Sequence, residues 1–225
     1  MNFTCLIFDL DGTLVDTIAD IAASMNRALA QYNFPPLIPS EYTHIVGWGI
    51  RRLAFLALPP QEQRKSGAEK LAAEIAERAT RFYAESPLAY SKPYPGIPEL
   101  MAELRARRLK TAVCTNKPDS VTRLVLQGLF PLGFFDAVRG DTNQAPRKPD
   151  PQAVWDILME LDSTPRQTIV IGDSEIDMET AHNANCHALG VSWGFRSRKV
   201  LENAGAERII DKPEELLALL PAGGF

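Results

Sequence analysis

The stretch Leu6-Ile7-Phe8-Asp9-Leu10-Asp11-Gly12-Thr13-Leu14-Val15-Asp16 decides how the rest of the chain is read. Its apolar start, Cys5 to Phe8, has the length and composition of a buried strand. The strand ends abruptly in two carboxylates separated by one residue, then Gly-Thr. Ionised carboxylates at the edge of a core are costly unless a cation or hydrogen bonds offset them, so the pair calls for a metal, a lysine or both. The plainer alternative is an Asp-rich turn in which Asp11-Gly12 supplies only turn chemistry.

Beyond Thr17 the apolar residues Ile18, Ile21, Ala22, Met25, Ala28 and Leu29 recur at three and four, which predicts a helix, with Thr17 and Asp20 resembling a capping box at its start. Pro39-Ser40-Glu41 predicts a short second helix, broken by Val46-Gly47-Trp48-Gly49-Ile50. A third helix is expected from Gln61 to about Tyr83, with Leu71, Ile75, Ala79 and Phe82 on one stripe. From Asp16 to Lys92 there is no convincing strand. Lys92-Pro93-Tyr94-Pro95-Gly96 then reads as a stiff return linker.

After the linker, helical and strand patterns alternate. Strands are expected at Lys110 to Cys114, Ala137 to Arg139, Thr168 to Ile171, Ala188 to Val191 and Arg208 to Ile210, and a last helix over Glu214 to Leu220. Such alternation predicts an α/β fold, a Rossmann-like parallel sheet with helices on both faces. Ligands in such sheets bind at the carboxyl ends of the strands.

Three further polar segments fall at those ends. Thr115-Asn116-Lys117-Pro118 follows the second strand, where a hydroxyl and the amides of a helix start suit phosphate oxygens or form an ordinary cap. Arg147-Lys148-Pro149-Asp150-Pro151 closes a polar loop ahead of a helix begun at a proline, with Arg147 expected on the surface. Ile169-Val170-Ile171-Gly172-Asp173-Ser174-Glu175-Ile176-Asp177 repeats the logic of the first stretch. If a helix starts just after Gly172, Asp173 and Asp177 share one side of it.

Taken in order, these four segments resemble the motifs of the haloacid dehalogenase-like hydrolase superfamily, and the Thr-Asn-Lys-Pro form is similar to its phosphoglycolate phosphatase branch. The resemblance spans nearly the whole chain. It implies a core domain of residues 1–16 and 92–225 and an inserted all-helical cap domain of residues 17–91. By that resemblance Asp9 is the nucleophile that takes up a phosphoryl group and Asp11 the general acid/base. Thr115, Asn116 and Lys148 hold the phosphate, and Lys148 also offsets the carboxylates. Asp173 is a metal ligand and Asp177 supports the metal shell or Lys148.

The chemistry is coherent on its own terms. An anionic Asp nucleophile is repelled by a phosphate dianion, and phosphoryl transfer is mostly positioning and charge stabilisation. A magnesium ion on Asp9, Asp173 and the Asp11 carbonyl removes that repulsion. The expected cofactor is therefore Mg2+ and the expected partner a small phosphorylated metabolite. Within the insertion, Gly47-Trp48-Gly49-Ile50-Arg51-Arg52 is a glycine-flanked, aromatic and basic turn suited to a lid, with Gly47, Trp48, Gly49 and Arg51 as substrate-binding candidates. Arg51 or Arg52 can meet a carboxylate on a substrate such as phosphoglycolate, or lie on a solvated helix start. Phosphomutase, pyrophosphatase and nucleotidase activities on the same core are the rival readings, and a phosphate-binding protein without turnover is the rival from another class.

A net charge of −4 over 225 residues argues against a grip on nucleic acid. The apolar N-terminal run stops at Asp9 and no charged region precedes it, so neither a signal peptide nor a membrane span is expected, and the protein reads as cytoplasmic. A monomer or homodimer is expected. Cys5, Cys114 and Cys186 are too scattered for disulfides or a CxxC site, and His44, His182 and His187 lack metal-ligand spacing.

Overall fold

A computed structural model describes residues 3–220. Strand β1 is Cys5–Phe8, and it lies inside a six-stranded parallel sheet with β4 (Lys110–Pro118), β5 (Ala137–Asp141), β6 (Thr168–Gly172), β7 (His187–Val191) and β8 (Arg208–Ile210). The strand order is β5-β4-β1-β6-β7-β8. The chain builds outward from β1 through β4 to β5, then crosses back to β6 on the other flank. The ends of β1, β4 and β6 therefore border the place where strand order reverses, the crevice in which such sheets hold ligands.

Alternation along the buried strands explains the two layers of helices. Leu6 and Phe8 face one apolar cluster with Val113, Ile169 and Ile171, while Cys5 and Ile7 face the other with Ala112, Cys114 and Val170. On the second face pack α8 (Gln152–Glu160), α9 (Glu175–Asn183) and α10 (Arg198–Asn203). The first is covered by α6 (Ile97–Ala106), α7 (Asp119–Leu129) and a 3-10 segment, Pro213–Leu219. The final segment was expected as an α-helix, but the short run after Pro213 makes tighter turns that seat Leu216 in the core. α10 was not foreseen, because its six residues carry a single buried apolar side chain, Leu201.

Between β2 (Val15–Asp16) and β3 (Lys92–Pro93), which pair antiparallel, the described chain is helical. It forms α1 (Ile18–Ala30), α2 (Pro39–Tyr42), α3 (Ile50–Ala57), α4 (Pro60–Gln63) and α5 (Ala68–Glu85). α1 and α3 both pack on α5. The expected third helix is thus two, separated at 64–67, and the buried stripe of α5 is Ala72, Ile75, Ala79 and Tyr83, with Leu71 and Phe82 only partly buried. Ile75 and Ala79 lie on the buried face as the periodicity predicts, while the small Ala72 and the Tyr83 ring replace Leu71 and Phe82 at its ends.

The Thr17/Asp20 capping box does not form. Thr17 turns its hydroxyl to Asp11, 2.7 Å away. Asp20 is buried and accepts from the Ser91 amide at 2.8 Å and the Ser91 hydroxyl at 2.5 Å, and it also receives the Tyr90 amide. The carboxylate thereby pins the start of α1 to the returning strand. Long-range donors replaced the local ones.

Candidate active site

The turn after β1 is wound tightly. Leu10 carbonyl accepts from the amides of Thr13, Leu14 and Val15, and Gly12 has φ of +88°. A Cβ on Gly12 would stand 2.5 Å from Asp173 Oδ2, so only glycine lets this turn approach the end of β6. Asp9 and Asp11 leave the turn on its cavity side, lining a pocket that also includes Thr115, Lys148, Asp173 and Asp177.

Lys148 is buried, and its ammonium donates to Asp9 Oδ1 at 2.9 Å and Asp177 Oδ1 at 2.6 Å. Burial pushes its pKa down, but Asp177 and Asp9 outweigh this and hold it above the ordinary lysine value. The lysine is therefore charged. Among the described residues no donor reaches Asp9 Oδ2, which leaves that oxygen open to the cavity. Burial first, then Asp177, push Asp9 up to about 6 against the pull of Lys148.

Asp173 accepts from the Thr13 hydroxyl at 3.1 Å and the Phe195 amide at 2.7 Å, and among the described residues it has no cationic partner. Burial, then Asp177 and Asp9, raise its pKa well above the carboxylate range. The expectation that Asp173 and Asp177 share a helix side fails. α9 begins only at Glu175 with Ser174 as its N-cap, and Asp177 reaches back to the Ser174 amide and hydroxyl at 3.1 and 2.6 Å. The two acids meet through the turn instead. Carboxylate oxygens of Asp9, Asp173 and Asp177 lie within 4.8 Å of one another. Three carboxylates against one ammonium leave two negative charges unmatched, and an all-oxygen donor set of that charge suits a hard divalent cation.

Asp11 is held apart from this cluster. Lys117 Nζ lies 2.9 and 3.2 Å from its two oxygens, and the Thr17 hydroxyl adds a third bond. Lys117 is buried under Tyr83 of α5, its ammonium 4.1 Å from the ring centroid. Burial lowers its pKa, and Asp11 and Tyr83 more than restore it. No role is expected for Lys117 from the sequence, where its one signal is its place directly after Thr115-Asn116.

Asn116 does something other than expected. Its side-chain amide donates to the carbonyls of Gly47 and Lys148, both at 2.9 Å, and accepts from the Lys148 amide at 2.9 Å. That side chain is committed to fixing Lys148 and the 47–49 turn, so a phosphate contact from Asn116 falls to its backbone amide. Thr115 lines the cavity and accepts the Lys117 amide at 3.3 Å.

In the 47–52 turn, Gly47, Gly49 and Ile50 line the cavity, whereas Trp48 and Arg51 do not. Trp48 is 42 % exposed. Arg51, expected at the substrate, lines a neighbouring outer cleft with Arg81 and Ser120, because α3 starts at Ile50 and turns the next side chain outward. Arg52 lies over Phe55. Arg147 is not a free surface group either. It binds the buried Asp141 at 2.5 Å and Asn143 at 2.6 Å, with its chain against Gly49.

A second omission of the sequence reading is the loop after β7. Trp193 Nε1 donates to Thr13 carbonyl at 3.0 Å and the Phe195 amide caps Asp173. Arg196 donates to the Thr43 carbonyl, to Val46 carbonyl at 2.7 Å and to Glu175 at 3.1 Å. Trp193-Gly194-Phe195, an aromatic pair about a glycine at a strand end, was the available signal.

The sequence profile of the haloacid dehalogenase-like hydrolases matches residues 6–191. The chain belongs to this family. The hydrolase is 36 % identical over 211 residues to a phosphoglycolate phosphatase of Rhodospirillum rubrum, covering 92 % of the chain and 86 % of that protein. It is 29 % identical over 215 residues to one from Aquifex aeolicus, covering 96 % and 95 % respectively. A crystal structure from Lactobacillus delbrueckii subsp. bulgaricus superposes on the hydrolase with a TM-score of 0.87 at 30 % identity, covering 99 % of this chain and 100 % of that one. The hydrolase sits in the phosphoglycolate phosphatase-like branch. No described helix of it is long and apolar enough to cross a membrane.

Proposed function

We propose that this hydrolase is a magnesium-dependent phosphatase of small phosphomonoesters, with phosphoglycolate its favoured substrate, working through an aspartyl-phosphate. The observation that carries the reading is Asp9: one oxygen is fixed by Lys148, the other is open to the cavity, and a second acid stands two residues away with separate partners.

Asp9 Oδ2 attacks phosphorus while the ester bond breaks, and Asp11 gives its proton to the leaving oxygen. A water then attacks the aspartyl-phosphate, Asp11 takes its proton, and inorganic phosphate leaves. Lys148 and the Thr115 hydroxyl hold the non-bridging oxygens, and Asp177 holds Lys148 in place. Asp9, Asp173 and the Asp11 carbonyl would hold a magnesium ion, which would supply charge neutralisation for nucleophile and phosphate. Residues 17–91 act as a cap on a core of residues 1–16 and 92–225, held shut by the bonds of Asn116 and Arg196 to its 43–47 carbonyls. Closure excludes water and strengthens the charged contacts beneath.

Magnesium-dependent hydrolysis of an aryl phosphate is the deciding assay. Asp9→Asn should lower turnover by several powers of ten, on the order of other nucleophile removals. Near-normal turnover in that variant excludes the covalent route.

A further inference from the structure

Three cationic side chains line the cavity, and they are committed differently. Lys148 divides its ammonium between Asp9 and Asp177. Arg196 spends its guanidinium on the Thr43 and Val46 carbonyls and on Glu175. Among the described residues Lys117 has a single anionic partner, Asp11, and otherwise faces Tyr83. Its side chain is only 4 % exposed. When Asp11 carries the proton it gives to the leaving oxygen, this buried ammonium has no counter-charge in a cavity with the apolar walls Ile21, Ile50 and Leu53, and an incoming anion fills that place.

We propose that Lys117 binds a carboxylate carried by the substrate and so selects phosphorylated hydroxy acids over neutral phosphomonoesters. This rests on the phosphatase reading above. Asp11 must touch the ester oxygen that it protonates. In a 2-phosphorylated acid the carboxylate carbon is two bonds from that oxygen, which puts the carboxylate beside whatever cation is bonded to Asp11. That cation is Lys117. Tyr83, arriving from α5, closes the far side of the ammonium, so the selecting charge is completed only where the helical layer meets the sheet. Arg51 lies in the outer cleft and is poorly placed for this task.

The test compares kcat/KM for 2-phosphoglycolate and for 2-hydroxyethyl phosphate, which exchanges the carboxylate for a neutral hydroxymethyl group, using the full chain with magnesium. The wild type should favour the acid by about ten- to a hundredfold, the worth of one charge-assisted hydrogen bond. Lys117→Met should bring that ratio to within about threefold of unity, mainly through KM for the acid, and Lys117→Arg should keep most of it. Lys117 also touches Asp11, so turnover of both substrates falls in Lys117→Met; a merely structural role lowers both equally and leaves the ratio intact. An unchanged ratio in that variant overturns the proposal, as does a wild type without preference, a measurement that needs no variant to fold. Loss of the ratio in Arg51→Ala instead moves the recognition to the outer cleft and overturns it too. If the wild type hydrolyses neither ester nor any aryl phosphate, the phosphatase reading fails and this proposal with it, whereas hydrolysis without preference overturns the Lys117 assignment alone.

Discussion

The ammonium of Lys148 lies 2.6 Å from Asp177 Oδ1, and both side chains are sealed from solvent. Asp177 gives its other oxygen to Ser174 at the start of α9, so one carboxylate joins the loop after β5 to the end of β6. Asp177→Ala leaves the lysine with Asp9 alone and uncaps the helix. Breaking a buried pair costs about 3–5 kcal/mol when the partner is left bare, but here Asp9 stays on the lysine and one repelling carboxylate is gone, so about 1–3 kcal/mol is expected. Urea unfolding of the metal-free protein should show a loss in that range; a loss below about 1 kcal/mol means that water or a rearranged neighbour replaces the pair.

Asp9 and Asp173 both have carboxyl groups raised above their ordinary range, Asp9 to about 6. The folded protein therefore holds these protons more tightly than the unfolded chain does. Without metal, its stability should fall as pH rises from about 4 through 6, where Asp9 ionises, and fall further as Asp173 ionises in turn. A divalent cation competes with the protons and binds the ionised form, so magnesium should raise Tm little near about pH 5 and more near about pH 8. Thermal melts at the two pH values check this, and an equal rise at both contradicts it.

Arg196 bonds two carbonyls at the end of the α2 turn, Thr43 and Val46, while anchored on Glu175. Cationic groups suit the carbonyl end of a helical turn. Arg196→Ala should loosen the 43–49 segment without unfolding the sheet. Limited proteolysis should then cut that segment faster, and kcat/KM should drop by about tenfold or more as water enters the cavity. Unaltered cleavage together with unaltered kcat/KM speaks against a closing role.

Asp20 accepts the Ser91 and Tyr90 amides and the Ser91 hydroxyl inside the joint between α1 and β3. Asp20→Ala strands the buried amide and hydroxyl of Ser91, each worth about 1–3 kcal/mol when unsatisfied, and frees the more exposed Tyr90 amide to water. Chemical denaturation should register a loss of at least about 2 kcal/mol, with the larger effect on hydrogen-exchange protection at Tyr90 and Ser91 than in β1. Equal loss of protection at both places indicates that the joint does not open separately.

The sequence by itself determined the alternating core, because buried parallel strands must be apolar on both faces and each is followed by its polar turn in order. Asp9, Asp11, Thr115, Lys148, Asp173 and Asp177 could be picked out for the same reason: charge and hydroxyls at the ends of apolar runs have few uses besides chemistry. Tertiary structure alone decided the partners. Asp20 looks like a first-turn acid until Ser91 arrives seventy-one residues later, and the Asn116 side chain has no visible task until its amide is seen bridging Gly47 and Lys148. Lys117 and Arg51 exchange importance in the same way. Local sequence fixes which residues are polar, but whether a lysine or an arginine enters the cavity depends on the turn from which its helix or strand leaves, and that is set by packing between segments far apart in the chain.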